Sequence, residues 1–375
     1  MQNNWLSEAY IYHVLIDRFY GQTISEPEKP HFAGGTIAGI IEKIDYIKNL
    51  GVNCIWISPF YKGISYHGYH ITDFYSVDEH FGTIEDIEKL VEVVHQNGMK
   101  IIVDLVPNHC SIEHPFFIEA KTNKKSKYRK WFCFNESTGE YLSFLGFKEL
   151  AKINLDEPEA RRYFIDNATF WFSKGLDGFR IDHVIGVSRS FLLELRSELL
   201  SINPNSKLIG EAWIEGIRKT HFNTIHIKNT LFHKHFGISQ EKVQKQYEGL
   251  LDAVLDFEAR NIMLQKYLKE KMSEDEVITA LQKHFRKYKK DFSLVQFLDN
   301  HDTNRIMFEC GNDSEKVKKM LSILKKCNQP LVIYSGTEQG LTHKDSIFLG
   351  KPYADLDVRQ PMDWNKIKIE NERIN

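Results

Sequence analysis

The chain has 375 residues and a nearly even charge balance, 49 Lys+Arg against 51 Asp+Glu, for a formal net charge of −2. That balance removes the electrostatic case for nucleic acid or an anionic membrane and points to a neutral partner. No run approaches the roughly 18 apolar residues of a membrane span, and the length fits one large α/β barrel carrying an inserted segment.

The opening segment, MQNNWLSEAYIYHVLIDRF, has no basic stretch followed by an apolar core and a small-residue cleavage site. Five widely spaced cysteines, odd in number and without a C-x-x-C, read as reduced thiols. The expectation is a cytoplasmic protein.

A first strand is expected at 9–19 (AYIYHVLIDRF). A helix follows in GGTIAGIIEKIDYIKNLG, where Ile37, Ile40, Ile41, Ile44 and Ile47 recur at helical spacing and Gly51 lies just past the end. The second strand, NCIWISPF (53–60), precedes the helix in TIEDIEKLVEVVHQNGMK, with Thr83 as N-cap, Glu85 and Asp86 in the first turn and Gly98 as the stop. KIIVDLVPNH (100–109) supplies the third strand. From Cys110 to about Asn154 the rhythm breaks into aromatic, charged, irregular sequence, as in KSKYRKWFCFNESTGEYLSFLGF, too long for an ordinary βα loop. This segment is expected to form a small excursion domain over the C-terminal mouth, its aromatic residues packing as a mini-core, facing a ligand, or both. Five more strands are expected at 178–182, 207–213, 252–257, 292–302 and 330–336. Eight strands alternating with amphipathic runs predict an α/β fold, a TIM (β/α)8 barrel over 1–109 and 155–375 with the excursion domain at 110–154.

Such a barrel gathers its strand ends, and these are rich in polar residues: Asp104, Asn108 and His109; Arg180 and Asp182; Glu211; Asp299, His301 and Asp302. In GFRIDHVIG, Gly178 to Gly186, Arg180 and Asp182 stand two apart and so share one face of their strand. Alone, that pair reads as a salt bridge at a sheet end. Carboxylates at three strand ends without a Cys/His metal set suit cleavage of a glycosidic bond. One attacks or stabilises the anomeric carbon, another protonates the leaving oxygen, and the third can hold the sugar.

Six ordered motifs, GVNCIWISP, DLVPNH (104–109), GFRID, GEAW (210–213), FLDNHD (297–302) and VIYSGTEQG (332–340), with the loop from Tyr66 to Thr83, resemble the α-amylase family over nearly the whole chain. The resemblance implies Asp182 as nucleophile, Glu211 as general acid then base, and Asp302 as the carboxylate that binds sugar hydroxyls and favours the distorted transition state. His109 and His301 would donate to hydroxyls, and Tyr69 would give a stacking face or remain ordinary core. Asp355 and Arg359 in DLDVRQPMDW would clamp the same sugar. Arg180 would favour the ionised form of Asp182, with Asp104 orienting it, whereas Glu211 would need a raised pKa. The implied partner is an α-glucan oligosaccharide or polysaccharide.

Departures sharpen the expectations. His183-Val184-Ile185-Gly186 stands where the family commonly has a small residue and then a Lys-His or related pair, leaving acceptor-side specificity open. LAKIN, Leu150 to Asn154, resembles the MPKLN of neopullulanases and cyclomaltodextrinases rather than LPDLN, which tilts preference towards short or cyclic maltooligosaccharides. The family's calcium site would fall on Asn108, the aspartate of LPDLN and the residue four after the nucleophile. Lys152 and Gly186 hold the last two positions, and DRFYGQTISE lacks clustered Asp and Asn. No metal and no cofactor are therefore expected, with Lys152 reaching carboxylates or carbonyls of the excursion domain in the ion's place. The family usually continues past the strand-eight loop into a β-sandwich, whereas this sequence ends at Asn375, either as a truncated piece or because that domain has been shed; with no N-terminal β-domain of the neopullulanase type in the sequence either, the oligomeric state of those dimers does not carry over. Three functions are in view: retaining hydrolysis of α-1,4-glucans, glycosyl transfer on the same machinery, and a non-catalytic binding or chaperone relative, a class that normally lacks the three carboxylates.

Overall fold

Eight short strands carry the architecture: β1 Tyr10–Val14, β2 Cys54–Ile57, β3 Lys100–Leu105, β4 Gly178–Ile181, β5 Lys207–Gly210, β6 Ala253–Leu255, β7 Ser293–Phe297 and β8 Leu331–Tyr334. The computed structural model describes residues 4–21, 30–214 and 239–365. Almost every strand residue is buried, as required of parallel strands covered on both faces, which is why they read as continuous apolar runs. The hydrogen-bonded order β1-β8-β7-β6-β5-β4-β3-β2 closes the sheet into an eight-stranded barrel.

All eight expected strands are present, and each is shorter than its apolar run. The first ends at Val14, and Ile16–Phe19 forms a helical turn. There the buried Asp17 carboxylate accepts from the amides of Ala33 and Gly34 and pairs with Arg18 at 2.6 Å, bonds a strand ladder could not provide. The helix expected after β1 is two short ones, Ile37–Glu42 and Ile44–Asn49, meeting at Lys43. The helix after β2, Ile84–Gln96, is closed at its start by a Thr83–Asp86 capping box. It is followed by Gly98 at φ +74°, a left-handed position that favours glycine.

The chain packs as two compact units. One is built chiefly from Pro59–Asp78 and Val103–Val254, the other from Asn3–Ser58, Glu79–Ile102 and Leu255–Asn375. In the first, the 110–154 segment has a helix, Pro115–Thr122, a 3-10 turn, Lys127–Trp131, and an antiparallel pair, His109–Ser111 with Leu150–Lys152. Phe117 lies within 5.0 Å of Phe132 and 4.7 Å of Tyr141, and Phe116 stacks on Tyr128 at 4.1 Å, so the segment has an aromatic core of its own. In the second unit β1 pairs with both β2 and β8, matching Ile11 to Cys54 and Tyr10 to Leu331. All five cysteines are free thiols. Among the described residues no helix is long and apolar enough to cross a membrane.

Candidate active site

In the first unit the ends of β3, β4 and β5 are knitted by main-chain bonds. Asp182 N donates to Leu105 O at 2.9 Å, and Glu211 N to Ile181 O at 3.0 Å. These bonds set the side chains that follow. Arg180 is fully buried. Its Nη1 lies 2.8 Å from Asp182 Oδ1 and 3.2 Å from Asp104 Oδ1, and its Nη2 lies 2.6 Å from Glu211 Oε1. Burial opposes the guanidinium's charge, but Asp104, Glu211, Tyr69 and Asp182 outweigh it and raise its pKa well above the ordinary value. One cation thus serves three carboxylates.

Asp104 is tied down twice: its Oδ2 accepts from the Tyr69 hydroxyl at 2.5 Å, and its carbonyl from the Tyr61 hydroxyl at 3.0 Å. The second oxygen of Glu211 accepts from the His183 amide at 2.9 Å. Glu211 therefore has a guanidinium on one oxygen and an N–H on the other. The arginine placed for Asp182 thus reaches Glu211 as well.

His109 Nδ1 stands 4.0 Å from Asp182 Oδ2. Burial, then His183, His70 and Lys152, push its pKa well below the usual imidazole value, so the contact is not an ion pair. Asn108 Nδ2 lies 3.3 Å from the same Nδ1. With Nδ1 accepting, the proton belongs on Nε2, which is buried and has no protein partner among the described residues. The ring stacks on Phe144 at 4.4 Å, and the edge of Phe144 meets His183 at 4.7 Å and 86°. Phe144 was not singled out by the sequence. Its segment is dense in aromatics, and no spacing rule selects this one.

Lys152 is 3% exposed. It pairs across the ribbon with His109, its Nζ donates to Ile153 O at 2.6 Å, and burial pushes its pKa down to about 8. It therefore reaches a carbonyl at the end of the excursion segment. A Cβ on Gly186 would stand 2.2 Å from Asn108 Oδ1, leaving no room there for a side-chain ligand. An ammonium at one ligand position and a bare glycine at another do not fit calcium. Residues 22–26 of DRFYGQTISE lie outside the described residues.

The second unit holds another group. Asp302 Oδ1 pairs with Arg359 Nη2 at 2.8 Å and its Oδ2 with His301 Nε2 at 3.0 Å. Arg359 also pairs with Asp355 at 2.8 Å and donates to the His301 carbonyl at 2.9 Å. Asp302, His301, Asp355 and Arg359 are thus one bonded cluster, with the Asp302 side chain 30% exposed. His13 stacks on Trp56 at 3.7 Å and meets the edge of His301 at 5.0 Å; both lie within strands and were read from the sequence as strand interior. Asp299 is buried, with its oxygens accepting from Thr337 Oγ1 and Ile306 N, and burial raises its pKa. It reads as a structural residue.

Residues 13–371 match the family model described as "Alpha amylase, catalytic domain". Alpha-amylase 2 of Dictyoglomus thermophilum is 33% identical, covering 99% of this chain and 62% of that protein. Maltogenic alpha-amylase of Bacillus acidopullulyticus is 29% identical, over 99% of this chain and 61% of its own. The chain thus spans about three-fifths of the length of these relatives. Among solved structures, the alpha-amylase from Geobacillus thermoleovorans complexed with acarbose superposes with a TM-score of 0.77 at 26% identity, covering 96% of this chain and 75% of that one.

Proposed function

Because the chain belongs to the α-amylase family through its catalytic domain, we propose that it is a retaining α-glycosidase cleaving α-1,4-glucosidic bonds of maltooligosaccharides or related α-glucans. The observation that carries this reading is the single buried guanidinium shared by Asp182 and Glu211. Two carboxylates on neighbouring nitrogens of one arginine support the short separation, about 5 Å, of a double displacement rather than the wider gap of an inverting enzyme.

Asp182, kept ionised beside Arg180, attacks the anomeric carbon as Glu211 gives its proton to the leaving oxygen. The glycosyl–Asp182 bond forms as the glycosidic bond breaks. Glu211, now a carboxylate, takes a proton from water; the water oxygen bonds to the anomeric carbon and Asp182 leaves. For the first step Glu211 must acquire a proton and loosen its hold on Arg180. His109 Nε2–H and the cluster of Asp302, His301, Arg359 and Asp355 bind hydroxyls of the sugar at the cleavage site. Asp302 also favours its distorted conformation, and Tyr69, fixed through its hydroxyl, offers its ring. Asp104 orients Arg180.

Names among the relatives, maltogenic amylase and cyclomaltodextrinase, support short or cyclic maltooligosaccharides as substrates, as LAKIN does. Free thiols and a 28% identical relative named intracellular maltogenic amylase, from Bacillus subtilis, support a cytoplasmic location.

The test is twofold. Asp182→Asn and Glu211→Gln should each lower turnover by several orders of magnitude with the fold intact, since each removes an interaction made in the transition state. Proton NMR of the first product should show the α-anomer, and an initial β-anomer would reject the double displacement.

A further inference from the structure

We propose that the imidazole of His183 is an acceptor-side specificity group, hydrogen-bonding the hydroxyl-bearing sugar that departs towards Glu211 or returns to be activated by it. This rests on the retaining reading above and names what that reading leaves open, the group that recognises the molecule on the far side of the scissile bond.

His183 follows the nucleophile directly, and its amide holds Glu211 Oε2 at 2.9 Å. The backbone of His183 is therefore rooted beside both carboxylates. The leaving sugar receives its proton from Glu211, and any acceptor surrenders one to it, so both must come to this carboxylate.

The ring is fixed but unsatisfied. His183 is 6% exposed, and the edge-to-face contact with Phe144 sets its tilt. A Cβ on Gly186 would come within 3.0 Å of its Cδ2, so the ring lies close over that glycine. Among the described residues neither ring nitrogen has a hydrogen bond to the protein, whereas neighbouring His109 has Asn108 on its Nδ1. A buried imidazole ordinarily has partners. One held in place by packing, with no protein group on its nitrogens and beside a catalytic carboxylate, is matched to a partner that arrives with the substrate.

The backbone makes the same point. His183 sits at φ 39°, ψ 51°, a left-handed conformation that Gly or Asn adopts with least strain. The side chain explains a histidine there. Burial, then Lys152 and Arg180, lower its pKa to about 3. A neutral imidazole offers one donor and one acceptor, the complement of a hydroxyl.

The experiment compares maltotriose, whose leaving glucose bears hydroxyls, with p-nitrophenyl α-maltoside, whose leaving group has none to offer. His183→Gly relaxes the backbone and removes the ring. It should lower kcat/KM on maltotriose about 10-fold more than on the aryl glycoside, the scale of one or two lost hydrogen bonds, and should reduce the transfer-to-hydrolysis product ratio at high maltotriose. His183→Asn, which tolerates the same backbone and retains a donor and an acceptor, should show a smaller gap. Equal losses on both substrates would mean that His183 acts only through its backbone, and an unchanged product ratio with no gap would mean that the ring is idle; either overturns the proposal. A wild-type enzyme that cleaves neither substrate would overturn the glycosidase reading along with it, and so is distinguishable from those results.

Discussion

Replacing Lys152 by methionine isolates the energetics of one buried ammonium. Lowering its pKa from 10.5 to about 8 corresponds to roughly 3 kcal/mol against the charged form at neutral pH, at 1.36 kcal/mol per pH unit. Methionine removes that penalty but leaves Ile153 O without its 2.6 Å donor, a loss of about 1–3 kcal/mol for a buried acceptor. At pH 7 the two effects nearly cancel, and the variant should lie within about 2 kcal/mol of the wild type. The pH dependence separates them. Because the folded pKa lies below the unfolded one, the unfolded chain binds more protons between pH 8 and 10.5, and wild-type stability rises with pH through that window. Urea denaturation of both proteins at pH 7, 8.5 and 10 should show the wild type gaining up to about 3 kcal/mol on the variant. A constant gap, or one moving the other way, would refute the claim that Lys152 is held charged against its burial.

Excess EDTA should leave activity and melting temperature unchanged, given Lys152 and Gly186 where a calcium ligand set would fall; a fall of many degrees restored by calcium would reject this. Gly186→Ala, whose Cβ would press on Asn108 Oδ1, should lower stability by about 1–3 kcal/mol in thermal or urea unfolding. Tyr69→Phe removes the 2.5 Å donor to Asp104 and should lower stability by about 1.5–3 kcal/mol, the range for hydrogen bonds to charged groups. Arg359→Lys cannot keep Asp302, Asp355 and the His301 carbonyl together, so it should raise KM for maltotriose more than it lowers kcat.

The parts of this fold that sequence reveals are those governed by short-range rules. Strand runs were legible because both faces are buried, and the Ile84–Gln96 helix because Thr83 and Gly98 mark its ends. Strand ends were less so, because Asp17 and its neighbours stop β1 through partners at Ala33 and Gly34 that no local pattern announces. At the candidate site the ordered motifs named the carboxylates. They did not disclose that Arg180 would be shared with Glu211, because whether one guanidinium spans two strands depends on register. Phe144 and the His13–Trp56 stack escaped for a related reason: aromatic residues are plentiful, and only packing decides which ring meets which imidazole.

The pairing of Tyr10 with Leu331 bears on how the molecule is made. β1 leaves the ribosome well before β8, so one of its two hydrogen-bonding edges waits for a strand about 320 positions further along. At roughly 5–20 residues per second, that edge stays unpaired for tens of seconds. Its neighbour β2 emerges within a few seconds and can cover the other side, but the YIYHV edge that β8 will occupy is apolar and open throughout elongation. The vulnerable moment for this chain therefore falls during translation rather than in the folded protein. Slow elongation between β1 and β8, or scarcity of chaperones that shield exposed edges, would tell first as aggregation of nascent chains.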